Sequence, residues 1–158
     1  MSKTLILPTM LLLVIALLLT GCGAPKQHAS GPSNAGMKAV RCAYSQLGKK
    51  YVSGGASPKA GFDCSGLVYW AYVSNGVKVP RVTTDQARTG RAVSVQNAVP
   101  GDILVFNTGG SGTGLHTGMY AGGNSFIHSP KPGAKVRVES IATPYWKKRL
   151  VSVRHVGR

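Results

Sequence analysis

Gly61-Phe62-Asp63-Cys64-Ser65-Gly66-Leu67-Val68-Tyr69-Trp70-Ala71-Tyr72-Val73 is the run on which the rest of the chain depends. Asp63, a favourable N-cap, precedes an apolar stretch that Asn75-Gly76 is suited to stop. The pattern predicts a helix whose first turn holds Cys64. Unpaired backbone N–H groups and the positive end of the helix dipole meet there, and both favour a thiolate over a thiol. Downstream, Leu115-His116-Thr117-Gly118-Met119-Tyr120 and Phe126-Ile127-His128-Ser129-Pro130 each set a histidine in a short strand-like segment. A thiol at a helix start with imidazoles on later strands suits nucleophilic chemistry by cysteine.

Outward from that run, the first 21 residues read as a targeting segment. Lys3 gives a positive start, Leu5 to Leu19 are almost wholly apolar, and Leu19-Thr20-Gly21-Cys22 closes the run. The stretch is short for a spanning helix, which needs ~20 apolar residues, so a signal peptide fits better. Its ending resembles a bacterial lipobox, which implies lipidation of Cys22. An uncleaved N-terminal anchor is the competing reading, and either way the domain faces outward from the cytoplasmic membrane. Residues 22–36, rich in Gly, Ala, Ser, Pro and Asn, read as a flexible tether. Residues 37–158 are left for one compact domain.

The chain carries a formal charge of +15, with Asp63, Asp85, Asp102 and Glu139 as its four acids. A surface this basic suits a polyanion. The signal peptide argues against nucleic acid and in favour of anionic envelope polymers or lipid headgroups. Of the three cysteines, Cys22 is assigned to lipid and Cys64 to the nucleophile. Cys42 falls in a helix-patterned stretch as a small apolar residue, with a Cys42–Cys64 disulfide as the alternative in an oxidising compartment.

Met37, Val40, Tyr44 and Leu47 recur at helical spacing ahead of Gly48, predicting a helix over 35–47. Residues 49–62 read as a loop, 77–81 as a short extended piece and 83–90 as a capped helical turn or two. Strands are expected over 103–106, 116–121, 125–128, 135–138 and 150–154. The Gly-rich residues 107–114 lack the Lys and strand–helix context of a phosphate loop. Helices first and an antiparallel meander second make an α+β arrangement, with helices packed on a sheet of five to six mostly antiparallel strands.

Within it, His116 is the candidate base for Cys64, and His128 the group that fixes the tautomer and orientation of that imidazole. Strand alternation puts His116, Gly118 and Tyr120 on one face, and Phe126 and His128 on another that meets it if the strands pair. A zinc site of Cys64, His116 and His128 has acceptable ligand types but no close ligand pair; no metal or cofactor is expected. His28 and His155 have no such support.

The GFDCSGLV run, Tyr51-Val52-Ser53-Gly54-Gly55, Pro80-Arg81, Pro100-Gly101-Asp102 and the two histidine segments, in this order, resemble the NlpC/P60 peptidoglycan endopeptidases. The resemblance runs from about Val40 to the C-terminus. It implies a small, circularly permuted papain-like fold and cleavage of peptidoglycan stem peptides between D-γ-glutamyl and meso-diaminopimelate through a thioester. It implies Tyr51 as an oxyanion donor beside the Cys64 backbone N–H. It also implies that Asp63 and Ser65 receive the free amine of a stem peptide, with Arg81 in a structural or substrate role. Gly23 after Cys22 favours the outer membrane where there is one, and a monomer is expected. Two departures stand out: Ser53 replaces the usual aromatic, and His116-Thr117 replaces the commoner His-Val, a near-isosteric swap with little expected effect. A wall-binding lipoprotein without turnover, and a thiol acyltransferase or amidase on the same fold, are the competing functions.

Overall fold

A computed structural model describes residues 34–109 and 112–157. The expected signal peptide, the Cys22 lipidation site and the tether up to residue 33 lie outside the described residues. Among the described residues, no helix is long and apolar enough to cross a membrane.

The chain opens with α1 (Asn34–Tyr44), close to the expected 35–47 but shorter. Gln46 and Leu47 donate to the carbonyls three residues back, so the last turn tightens before Gly48. The buried stripe is not the one that the spacing of large residues suggests. Gly36, Ala39, Val40 and Ala43 face inward, while Tyr44 and Leu47 are exposed. Small residues win because this helix packs close to its neighbours: a Cβ on Gly101 would lie 2.4 Å from the Gly36 Cα.

A two-residue hairpin, β1 (Ala56–Ser57) with β2 (Gly61–Phe62), lies inside the stretch read as loop. It leads into α2 (Cys64–Val73), which is apolar around most of its circumference, as suits a helix packed on two sides. Leu67, Val68, Ala71 and Tyr72 join α1 and the sheet in one core. The fully buried Tyr72 donates its hydroxyl to the Gly101 carbonyl, so its polar end does not go unpaired. A short helix, α3 (Thr83–Gln86), follows where a helical turn is expected, although Val82 at its N-cap offers no side-chain cap.

The remaining strands are β3 (Arg91–Val93), β4 (Ile103–Asn107), β5 (Leu115–Gly122), β6 (Ser125–His128), β7 (Arg137–Ser140) and β8 (Leu150–His155), with a short helix, α4 (Pro144–Lys147), before the last. They form one six-stranded sheet in the order β3-β8-β4-β5-β6-β7, every pair antiparallel. The α+β architecture is therefore as expected, with one edge strand more than the five segments singled out. β7 starts two residues later than the expected 135–138. The backbone of 134–136 bonds instead to Gly48, Lys49 and Tyr51, so pairing with β6 begins only at Arg137.

The sheet separates two cores. Ile103, Val105, Met119 and Ile127 face α1 and α2. Leu104, Phe106, Tyr120, Phe126 and Val153 face the other way, against Ile141 and Trp146 of the β7–β8 connection. Alternation along β5 and β6 assigns His116 and His128 to this second, aromatic side.

Candidate active site

Asp63 sets the entry to α2. Its carboxylate accepts the Gly66 backbone N–H at 2.6 Å and so caps the helix that Cys64 begins. Gly66 is required for close approach: a Cβ there would sit 2.0 Å from the Gly55 carbonyl oxygen. The Gly54-Gly55 turn thus lies against the first turn of α2, and Gly54 donates its N–H to the second Asp63 oxygen. Arg81 closes the arrangement with a two-pronged contact to Asp63 at 3.0 and 2.8 Å, and it also donates to Ser65 Oγ and the Gly55 carbonyl.

The Asp63 carboxylate is therefore filled from within, and Ser65 is only 5% exposed. A cationic amine arriving at Asp63 would compete with Arg81 and two backbone N–H groups. The structure brings Asp63, Ser65 and Arg81 together as one locked cluster on the wall of an open groove of ≈ 470 Å³. Gly54, Val82, Thr83, Thr84 and Thr113 complete that wall. Ser53, where an aromatic is usual, is an exposed turn residue.

Cys64 is half-buried and forms no disulfide with Cys42, itself half-buried and packed against the α1–α2 core. The Cys64 Sγ lies 3.7 Å from Thr83 Oγ1. Tyr51 stands close enough to Cys64 and Asp63 to feel both. Burial first, then the charges of those two groups, push its phenol above its ordinary value, so it stays protonated at neutral pH and able to donate.

His116 and His128 are joined through Nε2 and Nδ1 at 2.8 Å. Their strands pair so that Gly118 stands opposite His128, and His116 lies diagonally beyond it. Glycine is again a matter of space: a Cβ at 118 would meet the Phe126 ring at 2.7 Å and the His128 Cβ at 3.1 Å. Trp146 stacks on His116 with centroids 5.6 Å apart and meets His128 edge-on. Burial lowers His116 to about 4, partly opposed by Glu139, and lowers His128 to about 2 with help from His116 and Arg137. Both rings are neutral at pH 7.

No hydrogen bond joins Cys64 directly to His116. What links their segments is Gln86, fully buried on α3. Its amide nitrogen donates to the Ser65 carbonyl and the Pro80 carbonyl, both at 2.9 Å, and its oxygen accepts the Thr117 hydroxyl at 3.0 Å. Ser65, the residue after Cys64, is thereby tied to Thr117, the residue after His116. Thr117 is not the inert replacement for valine that its shape suggests, because its hydroxyl satisfies an otherwise unpaired buried oxygen. Gln86, Glu139 and Trp146 were not legible as site residues, since nothing local in sequence marks them. Among the described residues no group of three His, Cys, Asp or Glu side chains is placed to hold a metal ion.

The NlpC/P60 family profile matches residues 48–155. The murein DD-endopeptidase MepH of Escherichia coli K12 is 39% identical over 70% of this chain, which spans 42% of that protein. The protein of the same strain described as murein DD-endopeptidase MepS/murein LD-carboxypeptidase is 32% identical, over 91% of this chain and 89% of its own length. Among solved structures, an NlpC/P60 family protein from Bacillus cereus superposes with a TM-score of 0.70 at 30% identity, covering 77% of this chain and 40% of its own.

Proposed function

The chain belongs to the NlpC/P60 family, and on that footing we propose that it is a cysteine peptidase acting on peptidoglycan peptides. The observation that carries the mechanism is the held imidazole. His116 is bonded through Nε2, which leaves Nδ1 without a hydrogen-bond partner among the described residues, and Gln86 ties its strand to the first turn of α2 where Cys64 sits. The Cys64–His116 hydrogen bond is absent here, and such contacts commonly tighten only when substrate is bound.

In the proposed cycle the Cys64 proton passes to His116 Nδ1, and the sulfur attacks the peptide carbonyl carbon. The Cys64 backbone N–H and the Tyr51 hydroxyl hold the oxyanion. Collapse breaks the C–N bond, and His116 returns the proton to the departing amine, leaving a thioester. Water, deprotonated by His116, then releases the acid and restores the thiol. His128 keeps the ring of His116 in one orientation throughout.

The bond cut is proposed as D-γ-glutamyl–meso-diaminopimelate. The filled Asp63 carboxylate favours a second reading, in which a free stem amine is not selected and a DD bond is cut, the kind named in the two murein endopeptidases. Incubating sacculi with the protein and identifying fragments by mass spectrometry separates the two. Cys64→Ala should release no fragments while melting as the parent does; undiminished release by that variant would refute the thiol mechanism.

A further inference from the structure

In a chain with four acidic residues, one of them stands at the far end of the histidine pair. Glu139 Oε1 lies 3.8 Å from His128 Nε2, a ring nitrogen that is buried and has no hydrogen-bond partner among the described residues. The carboxylate is held from two sides. The Trp146 indole N–H donates to Oε2, and Arg137 reaches Oε1 through Nε and Nη2, both at 2.5 Å. His128 itself has no exposed surface, so Nε2 does not reach bulk solvent. A separation of 3.8 Å is beyond a hydrogen bond, but with the ring fully buried and the carboxylate only 24% exposed it is an electrostatic contact.

We propose that Glu139 is a positioning residue for the peptidase reaction, setting the direction of every proton along Cys64, His116, His128 and Glu139. This role rests on Cys64 and His116 acting as thiol and base in the proposed peptidase. For His116 to accept a proton at Nδ1 it must carry its own on Nε2. Nε2–H then donates to His128 Nδ1, so His128 must leave Nδ1 bare and carry its proton on Nε2. That proton points toward the Glu139 carboxylate. A neutral histidine in third place is indifferent between its two tautomers, and the wrong one would donate from Nδ1 to His116 Nε2, leaving the His116 proton on Nδ1 where the thiol proton must go. The carboxylate removes the indifference, and its charge stabilises the imidazolium formed when His116 takes the thiol proton. Among the described residues, the charged or titratable groups facing His128 are His116 from β5 and Arg137 and Glu139 from β7; Trp146 from α4 is neutral. Arg137 opposes the effect, because a cation beside the carboxylate weakens its pull on the ring.

The test compares the parent with Glu139→Gln and Arg137→Gln. Glu139→Gln preserves shape and an acceptor for the Trp146 N–H, so the fold should hold, as its melting temperature will report. Hydrolysis of purified cross-linked muropeptides should show kcat lower by roughly tenfold with KM unchanged, the scale of losing about one pKa of imidazolium stabilisation. Titration of the ring nitrogens by ¹⁵N NMR should move His116 to lower pH in Glu139→Gln and to higher pH in Arg137→Gln. Opposite signs are the signature of charge, since a merely structural Glu139–Arg137 pair would move both variants alike. Glu139→Gln with unaltered kcat and an unaltered His116 titration overturns the proposal, as do shifts of equal sign. The titrations are repeated in Cys64→Ala, where activity plays no part. Retained hydrolysis by Cys64→Ala would instead refute the peptidase reading and leave the tautomer result standing.

Discussion

Two buried histidine networks lie on the same sheet and are built to opposite ends. On β8, His155 Nδ1 meets Asp102 Oδ1 at 2.7 Å, and the other Asp102 oxygen accepts the Val99 N–H at 2.9 Å. That pair binds the last strand to the turn that precedes β4, beside the carbonyl that Tyr72 holds. Both carboxylate oxygens are filled. On β5 and β6, the His116–His128 pair has no carboxylate among the described residues in hydrogen-bond range, and the buried His128 Nε2 has no partner there. Burial of an imidazole is therefore no mark of a site, since both networks share it. The difference is where a carboxylate reaches: Asp102 bonds His155 directly, whereas Glu139 stands 3.8 Å from His128 Nε2, which has no hydrogen-bond partner among the described residues.

The comparison breaks most sharply by substitution. His116→Ala should lower peptide hydrolysis per folded molecule by three orders of magnitude or more, as loss of a nucleophile's base does, alongside a packing loss of about 2 kcal/mol from the buried, Trp146-stacked ring. Asp102→Ala should spare turnover and lose only stability. It strands His155 in the interior and should cost about 3 kcal/mol in urea unfolding, with turnover per folded molecule within a few-fold of the parent. Both are read by fragment release paired with denaturation. If Asp102→Ala abolished turnover in folded protein, the division of labour between the two networks would be wrong.

Acid sharpens the contrast at intermediate size. His116 at about 4 and His128 at about 2 both lie below the unfolded value of 6.5, so the unfolded chain binds protons first as pH falls. Stability from keeping each ring neutral is complete above 6.5 and is lost as pH drops toward the folded values. Between pH 7 and 5 the loss should be about 2 kcal/mol for each ring. Urea titrations at the two pH values check this, and His116→Ala should show a smaller difference than the parent.

What was legible from sequence follows the distance over which each feature acts. The Asp63 cap and Cys64 at the helix start are set within four residues, and both are where the pattern put them. The shared face of His116 and His128 follows from strand period and one short turn. The strand β3 could not be read, because three residues on an exposed edge carry no alternation. The α1 stripe was misjudged because large residues were weighed above small ones, and close helix packing reverses that weight. Gln86 and Glu139 were invisible for a different reason. Their partners lie 31 residues away at Thr117 and 11 away at His128, and no periodicity connects such positions.

Gln86 yields the smallest and most exacting prediction. In Thr117→Val the side chain keeps its volume, but Gln86 Oε1 loses its donor inside a fully buried site. An unpaired buried oxygen costs about 1–3 kcal/mol. Part of that should appear as lost stability, and part as lower kcat, because the Gln86 side chain that positions the Ser65 carbonyl becomes free to turn. Thr117→Ser keeps the hydroxyl and loses only a methyl, so it should retain kcat with a modest packing loss. Equal kcat for Val and Ser variants would mean that the bridge holds the fold without aligning thiol and imidazole. A deficit confined to Val would show that the two halves of the site are registered through one amide, on the face of β5 opposite the imidazole it serves.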